Sequence, residues 1–440
     1  MMDGIQLYSK TPPVRLFFTA AIPGIISMFV ASLWGFFEGV VVAQSAGEIA
    51  FAAVNLGIPI IFINFALADL IGVGSSVPIS IALGQGNEED ANNYFTCACI
   101  SIVVTGALMG GLLFAAAPLI IHWMGADGEL AEFAVTYIRA YALCSPFTTI
   151  VFAMDNYLRI SGKIKTSMIL NILMSALIAG LLLLFVAALD FGVVGAALGV
   201  SLGMAVCGIL AVIPFARGGL QLKFRRPRFN VQILKKFAVS GSPVFLSNVA
   251  ARLTSIVMNV VLLKMGGAMA VSVYGVLIYI GELIQPILYG ACDSLQPAIG
   301  YNYGAGNTQR VRKIEVCCIA ACAVISMLGA GLIFCFPETV ALIFVDATEQ
   351  EMLTMTVHAL KLFGFTYLTR WFGFAIQSYL VAINKPGKAA VLSTANAFFL
   401  PVALLFILQP MGLDGIWLNT PITALVVSLM AIVTIMKKRI

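Results

Sequence analysis

Long apolar runs recur along the whole 440-residue chain, and they constrain its fold more than any other feature of the sequence. Runs of 18 or more residues with few charges indicate membrane-spanning helices, each of which needs about 20 apolar residues. Apolar residues make up 61% of the chain and charged residues only 10%. Soluble proteins average about 45–50% and about 25% respectively, so a soluble fold is excluded. The sequence predicts an all-α protein that crosses the membrane many times.

Glycine, proline and charged residues divide the apolar sequence into twelve predicted spans, six in each half of the chain. In the first half these are residues 16–43, 51–83, 92–121, 130–159, 164–189 and 193–216. In the second half they are residues 233–264, 269–303, 310–337, 350–383, 387–409 and 413–437. Most exceed the roughly 20 residues that one crossing requires, so we expect some helices to tilt or protrude.

The second half of the chain repeats the first, at an offset of half the length of the chain. Without a gap, residues 21–93 and 241–313 share 14 identities in 73 positions. One short loop occurs in both copies, because residues 84–87 and 304–307 each read Gly-x-Gly-Asn. A phosphate-binding loop would need a preceding strand and a following lysine. We therefore interpret the glycines as turn residues that reverse the chain between the second and third spans of each half.

An even number of spans returns the chain to its starting side, so the two halves share one orientation. This pattern predicts a parallel repeat about a pseudo-twofold axis along the membrane normal. The expected organisation is a six-helix lobe at residues 1–216, a basic linker at 217–232 and a second six-helix lobe at 233–440.

Basic residues fix the predicted orientation. The two termini and the even-numbered connections together hold 20 of the 25 Lys and Arg residues, whereas the odd-numbered connections hold only Lys264. Short loops rich in Lys and Arg stay in the cytoplasm. We therefore predict that both termini are cytoplasmic, and anionic lipid headgroups explain the basic linker without any nucleic acid.

Nine cysteines lie in apolar segments, and none has metal-ligand spacing to His122 or His358, the only histidines. We interpret them as reduced thiols that are buried in lipid or in the protein core. The chain also lacks zinc-protease, nucleophile-elbow and nucleotide-binding motifs. The sequence therefore predicts neither an enzyme nor a cofactor. Two six-helix halves around a cleft are typical of secondary transporters, which an ion gradient drives.

Three stretches resemble one transporter family. Residues 290–307 contain the sequence SLQPAIGYNYGAGN, residues 72–87 read GVGSSVPISIALGQGN, and residues 155–163 read DNYLRISGK. These are similar to segments of MATE (multidrug and toxic compound extrusion) transporters, and the resemblance extends over the whole chain. It implies export of lipophilic, often cationic compounds in exchange for protons or sodium, as in the bacterial drug-efflux members.

Two positions bear on the coupling ion that this resemblance implies. Glu38 stands where the first helix of the family often carries an acid. The fifth helix often reads Asn-Ile-x-x-Asp, but here Asn171 is followed by Ser175 in place of the aspartate. This departure weakens a sodium site and favours proton coupling.

Acids within membrane spans are costly, so they are usually functional or paired. For ion coupling, we predict Glu38, Asp69, Asn171 and Asp155, although Asp155 has the alternative of a surface pair with Arg159 one helical turn on. For substrate binding, we predict Glu282, Asp293, Gln285, Trp371 and Arg370. In that set Glu282 and Asp293 lie about three turns apart on one face and should line the cleft. The alternative is that both acids pair with Arg252 or Arg370 as structural ion pairs.

Two rival functions remain open on the sequence alone. A lipid-linked-sugar flippase of the same wider superfamily would use Arg252, Lys361 and Arg370 to hold a pyrophosphate. A membrane scaffold or receptor would transport nothing, and the charges near the midplane argue against it. We expect small lipophilic or cationic substrates and lipids as partners, and a monomer in the inner (plasma) membrane of a bacterium, with a proton or a sodium ion as the coupling ion.

Overall fold

A computed structural model describes residues 4–436, and every regular element among them is helical. In the first half the α-helices are α1 (Gly4–Lys10), α2 (Pro13–Ser45), α3 (Glu48–Gly84), α4 (Glu88–Trp123), α5 (Gly128–Thr148), α6 (Ile150–Ile160), α7 (Ile164–Leu182) and α8 (Gly192–Ala216). In the second half they are α9 (Val231–Asp293), α10 (Gln296–Gly304), α11 (Thr308–Cys335), α12 (Pro337–Ala341), α13 (Gln350–Phe363), α14 (Thr366–Ala382), α15 (Pro386–Thr394), α16 (Leu400–Leu408) and α17 (Leu413–Met436). Helices α7 and α15 continue as π-helical turns at Leu183–Ala188 and Ala395–Phe399, and α16 continues as a 3₁₀ turn at Gln409–Met411.

Each of the twelve predicted spans coincides with helical structure. Nine stretches among residues 4–436 are long and apolar enough to cross a membrane as single helices. One of them, Val231–Gly304, contains two predicted spans, and Gly267 interrupts its helical backbone at the predicted break. The spans predicted at 130–159 and 350–383 are each divided into two shorter helices, α5 with α6 and α13 with α14.

The duplicated loop forms the same turn in both halves. Gly86 and Gly306 adopt left-handed backbone angles, with φ of 77° and 74°. The side chains of Asn87 and Asn307 then cap the next helix, accepting from backbone N–H groups at 3.1 Å and 3.0 Å. A left-handed glycine followed by an asparagine cap ends one helix and begins another. The prediction of a chain-reversing turn is therefore confirmed for these glycines.

The first glycine of each loop has a different role, which the sequence does not reveal. A Cβ atom on Gly84 would lie 1.9 Å from the carbonyl oxygen of Tyr301, and one on Gly304 would lie 2.2 Å from that of Ile81. Real Cβ atoms do not come so close to a carbonyl oxygen. Glycine therefore lets the backbones of α3 and α10 touch across the boundary between the two halves.

Similar close approaches continue along the same boundary. A Cβ on Gly241 would lie 1.9 Å from the carbonyl oxygen of Leu70, and one on Gly74 would lie 2.1 Å from that of Phe237. Helices α2 and α9 also meet backbone to backbone through two glycines. We call these contacts the seam; its glycines are Gly24, Gly74, Gly84, Gly241, Gly290 and Gly304. The seam holds the two halves together at the end of the molecule that carries the duplicated loops.

Helix α1 covers the seam and contacts both halves. Its Tyr8 is 1% exposed and donates its hydroxyl to the carbonyl oxygen of Arg159 in the first half. The carbonyl oxygen of Tyr8 accepts from Asn302 at 3.0 Å and from Arg310 at 2.9 Å in the second half. The segment before the first span is thus part of the fold that closes this end.

The connection between the halves, residues 217–230, is extended and lies along α4. Backbone N–H groups of Lys223 and Arg228 donate to the side chains of Asn92 and Asn93 at 2.6 Å and 2.8 Å. Helix α9 begins at Val231, two residues before the predicted start of the second lobe. Hydrogen bonds therefore fix this basic segment against the first half.

Candidate functional site

Glu38 is buried inside the first half, with 1% of its surface exposed. The phenol of Tyr137, on α5, donates a 2.9 Å hydrogen bond to its Oε1 atom. Among residues 4–436 no basic group lies within salt-bridge distance of this carboxyl group. A buried carboxylate without a cation is expensive to keep charged. Sequence reasoning missed Tyr137, for which the only signal was a polar aromatic residue in an apolar span.

Asp155 lies in a hydrogen-bonded network rather than at the surface. Its Oδ2 atom contacts Arg159 at 2.5 Å, and its Oδ1 atom accepts from Asn171 at 2.8 Å. Ser167 donates to the same Oδ1 atom. The predicted pair with Arg159 exists, but Arg159 is only 1% exposed. The surface location was wrong because the turn at Ser161 folds α7 back against α6 and α1 covers the arginine.

The network extends to α2 and to the residue that follows α9. Asn171 also donates to Ser27 on α2 at 2.6 Å, and Arg159 reaches Ser294 just beyond α9, at 3.5 Å. It therefore crosses from the first half to the second. Glu38 is eleven residues beyond Ser27 on α2, which is about 16 Å along the helix axis. The structure brings Asp155 and Asn171 together and leaves Glu38 in a separate place.

Asp69 lies apart from both Glu38 and the Asp155 network, at the boundary between the halves. This α3 residue interacts electrostatically with Asp293 on α9. Asp293 accepts hydrogen bonds from Gln296 at 2.7 Å and from Ser378 at 3.3 Å, and it also interacts with the Arg159 charge. The sequence assigns Asp69 to coupling and Asp293 to substrate binding, yet these two acids are neighbours.

The second half holds a small polar cavity that contains two of the predicted substrate residues. Gln285 and Arg370 line it together with Tyr289, and its volume is about 40 Å³. The Oε1 atom of Gln285 is buried and has no protein hydrogen-bond partner. A drug-sized ligand needs about 300 Å³ or more, so in this conformation the cavity suits a few water molecules.

The charges around this cavity are mostly acidic. Tyr289 interacts electrostatically with Arg370, Glu282 and Asp293. Neither acid forms an ion pair with Arg252 or Arg370 in the part of the chain that the structure describes. Arg252 instead stacks on the ring of Phe62 from the first half, 4.7 Å from its centroid. The geometry therefore argues against the alternative of structural ion pairs.

Trp371 is half-buried beside this region. Its indole N–H donates to the carbonyl oxygen of Leu368 at 2.9 Å, one turn back on the same helix. Its ring packs edge-on against Phe372, with centroids 5.7 Å apart. The structure thus gives Trp371 packing contacts, and its predicted role in substrate binding stays a prediction.

Replacing Arg159 with methionine should destabilise the protein strongly. The substitution removes the cation beside the buried Asp155 carboxylate, and breaking such a pair costs about 3–5 kcal/mol. Arg228→Met is the matched control, because the pair of Arg228 with Glu89 is exposed at both ends and exposed pairs contribute about 0–1 kcal/mol. Thermal unfolding in detergent measures both. Equal losses in the two variants would contradict the buried network.

Comparisons with known proteins agree with this architecture. The MatE family model matches the chain twice, at residues 23–186 and 243–407, so one match falls in each half of the chain. Multidrug export protein MepA of Staphylococcus aureus is 25% identical over 430 residues, which cover 94% of this chain and 92% of that protein.

Solved structures share the fold across the chain. A MATE protein crystallised in complex with MaL6 superposes with a TM-score of 0.93 at 24% identity, covering 99% of this chain and 98% of that one. A multidrug resistance MATE transporter of the MOP superfamily in its outward-facing conformation superposes with a TM-score of 0.92 at 24% identity, covering 99% and 97%. The fold is thus the twelve-helix arrangement of two repeats that the sequence predicts. Because the family model matches most of both halves, the chain belongs to the MatE family and is a MATE transporter rather than an enzyme.

Proposed function

We propose that this transporter is an antiporter that exports lipophilic, often cationic compounds in exchange for protons, by alternating access. The observation that carries the proposal is the buried Glu38 carboxyl group, which has a tyrosine hydroxyl beside it and, among residues 4–436, no cation within salt-bridge distance. Such a group can accept a proton from one side of the membrane and release it to the other. Each proton that enters gains about 2.3 kcal/mol per 100 mV of membrane potential.

The seam supports the alternating-access part of the proposal. Glycine contacts and helix α1 close one end of the boundary between the halves. Transport requires this end to open while the opposite end closes. Because the positive-inside rule places the duplicated loops in the cytoplasm, the seam is the inner gate of this mechanism.

Charge near the second-half cavity supports cationic substrates. Two acids, Glu282 and Asp293, and one base, Arg370, interact electrostatically with Tyr289, which favours a cation over an anion there. A flippase for pyrophosphate-linked lipids would need a cationic cavity instead. The relatives that share this length of sequence are called multidrug export proteins, which agrees with drug efflux. Proton coupling rather than sodium coupling follows from Ser175, which replaces an acid that the family often carries.

Reconstitution into vesicles tests the proposal. An imposed pH gradient should drive ethidium accumulation, and an imposed sodium gradient without a pH gradient should not. Scrambling of a lipid-linked sugar, measured in the same vesicles, should stay at the level of empty liposomes. Dye movement that follows sodium alone would overturn the proton-coupling part of the proposal. Lipid movement without dye movement would overturn the proposal of drug efflux.

A further inference from the structure

Three cysteine thiols converge in the interior of the second half. Cys292 comes from α9, and Cys318 and Cys322 come from α11. Their Sγ atoms all lie within 4.8 Å of one another, with 3.2 Å between Cys292 and Cys322 and 3.5 Å between Cys292 and Cys318. Cys318 and Cys322 lie one helical turn apart, so they face the same neighbour. The sequence does not indicate this group, because Cys292 lies on a different helix from Cys318 and Cys322.

The three thiols are buried and contact one another. All three side chains are at most 2% exposed. The hydrogen bonds that their sulfur atoms make to other side chains in the described chain are to one another. Cys317, the neighbour of Cys318, is only half-buried and lies outside the group. The convergence is therefore specific to three of the nine cysteines.

We propose that Cys292, Cys318 and Cys322 form a binding site for a monovalent soft metal ion, Cu(I). Thiolate ligands select soft ions such as Cu(I). Metal–sulfur bonds of about 2.3 Å, with three ligands in a trigonal arrangement, place sulfur atoms about 4.0 Å apart. The observed separations of 3.2 Å and 3.5 Å approach this value, so small rotations of the side chains accommodate an ion.

The number of ligands distinguishes Cu(I) from zinc. No other His, Cys, Asp or Glu in residues 4–436 places a ligand atom within 4.8 Å of all three sulfurs. Structural zinc sites almost always use four ligands, whereas Cu(I) is stable with two or three thiolates.

The site would connect two helices next to the boundary between the halves. Cys292 directly precedes Asp293, whose carboxylate interacts electrostatically with Asp69 and Arg159 of the first half. An ion bound to all three sulfurs fixes α9 to α11 at this level. The inference rests on the geometry of the thiols and is independent of which substrate or coupling ion the transporter uses.

Competition for Cu(I) tests the site in the purified, reduced, full-length protein. The protein should withdraw one equivalent of Cu(I) from a chromophoric chelator, and X-ray absorption should show a first shell of sulfur. Loss of a second-shell partner alone weakens metal sites by about 10–100-fold. Cys292→Ser, Cys318→Ser and Cys322→Ser should therefore each weaken binding by about 100-fold or more. Cys317→Ser and Cys207→Ser, which lie outside the group, should bind like the unchanged protein.

A stability measurement separates loss of the site from loss of the fold. Cu(I) should raise the unfolding temperature of the unchanged protein and of Cys317→Ser, since a ligand that binds only the folded state stabilises it. It should leave that of the Cys322→Ser variant unchanged, while this variant still unfolds in one cooperative transition without copper, which shows that it is folded. The proposal is overturned if Cys322→Ser holds Cu(I) as tightly as the unchanged protein, or if the first shell contains nitrogen or oxygen instead of sulfur.

Discussion

Replacing Glu38 with glutamine should stop gradient-driven efflux while drug binding survives in weakened form. Glutamine keeps the shape of the protonated side chain and can still accept the hydrogen bond from Tyr137. It cannot release a proton, so transport would lose its coupling. Dye efflux from vesicles under an imposed pH gradient measures the first effect, and dye binding to purified protein measures the second. Binding and proton release are linked, so the unchanged protein should release protons when drug binds and the variant should not.

Two further variants isolate the role of this carboxyl group. Glu48→Gln makes the same chemical change at an exposed position at the start of α3 and should pump at the unchanged rate. Tyr137→Phe removes only the hydrogen bond, which is worth about 0.5–1.5 kcal/mol, so efflux should slow without stopping. If Glu38→Gln pumps at the unchanged rate under a proton gradient, Glu38 is not the coupling residue.

Replacing Gly84 with alanine should weaken the seam strongly. The added methyl group would lie 1.9 Å from the carbonyl oxygen of Tyr301, so α3 and α10 must separate. Overpacking of this kind costs about 1–3 kcal/mol. A cost of about 2 kcal/mol shifts the balance between closed and open seam roughly 30-fold, since about 1.4 kcal/mol is tenfold. Gly304→Ala, at the equivalent position of the repeat, should act similarly.

The rate at which a thiol reagent reaches a cysteine in the seam measures how often the seam opens. Ser80 is buried in the seam against Gly300, so a cysteine introduced there reports opening through its reaction with a maleimide. Labelling should be faster in the Gly84→Ala background. Gly111→Ala is the matched control, because a Cβ on this helical glycine meets nothing within 4 Å. Its labelling rate should equal that of the parent protein. Equal rates in all three proteins would show that the glycine contacts do not hold the seam closed.

The duplicated Gly-x-Gly-Asn loop shows how far local sequence reasoning extends. Its turn was predictable, because left-handed backbone angles favour glycine and an asparagine favours a helix cap. Structure adds a second use for the first glycine of each copy, which allows one half to touch the other. No local pattern distinguishes a glycine needed for a turn from one needed for contact with a helix in the other half of the chain. The sequence indicated only that the same loop is kept in both halves, because the motif occurs twice.

The sequence determined the class of fold and the number of helical spans. Three properties carry this information: the length of each apolar run, the charges between the runs, and the repeat of the first half in the second. All three are local or periodic, so they can be read without coordinates. The sequence also identified Glu38 as a buried acid, because a carboxyl group in an apolar run is costly wherever it lies, but it missed Glu315, which is also buried.

Only the tertiary structure decided which polar groups are neighbours. Asn171 donates a hydrogen bond to Asp155, Glu38 lies apart with Tyr137, and Asp69 interacts electrostatically with Asp293 across the boundary. The three thiols meet in the same way, from two helices that turn them toward one another. Each pairing depends on how helices rotate and cross after they have formed. A single sequence records the composition of each helix, but side-chain packing between helices sets those angles.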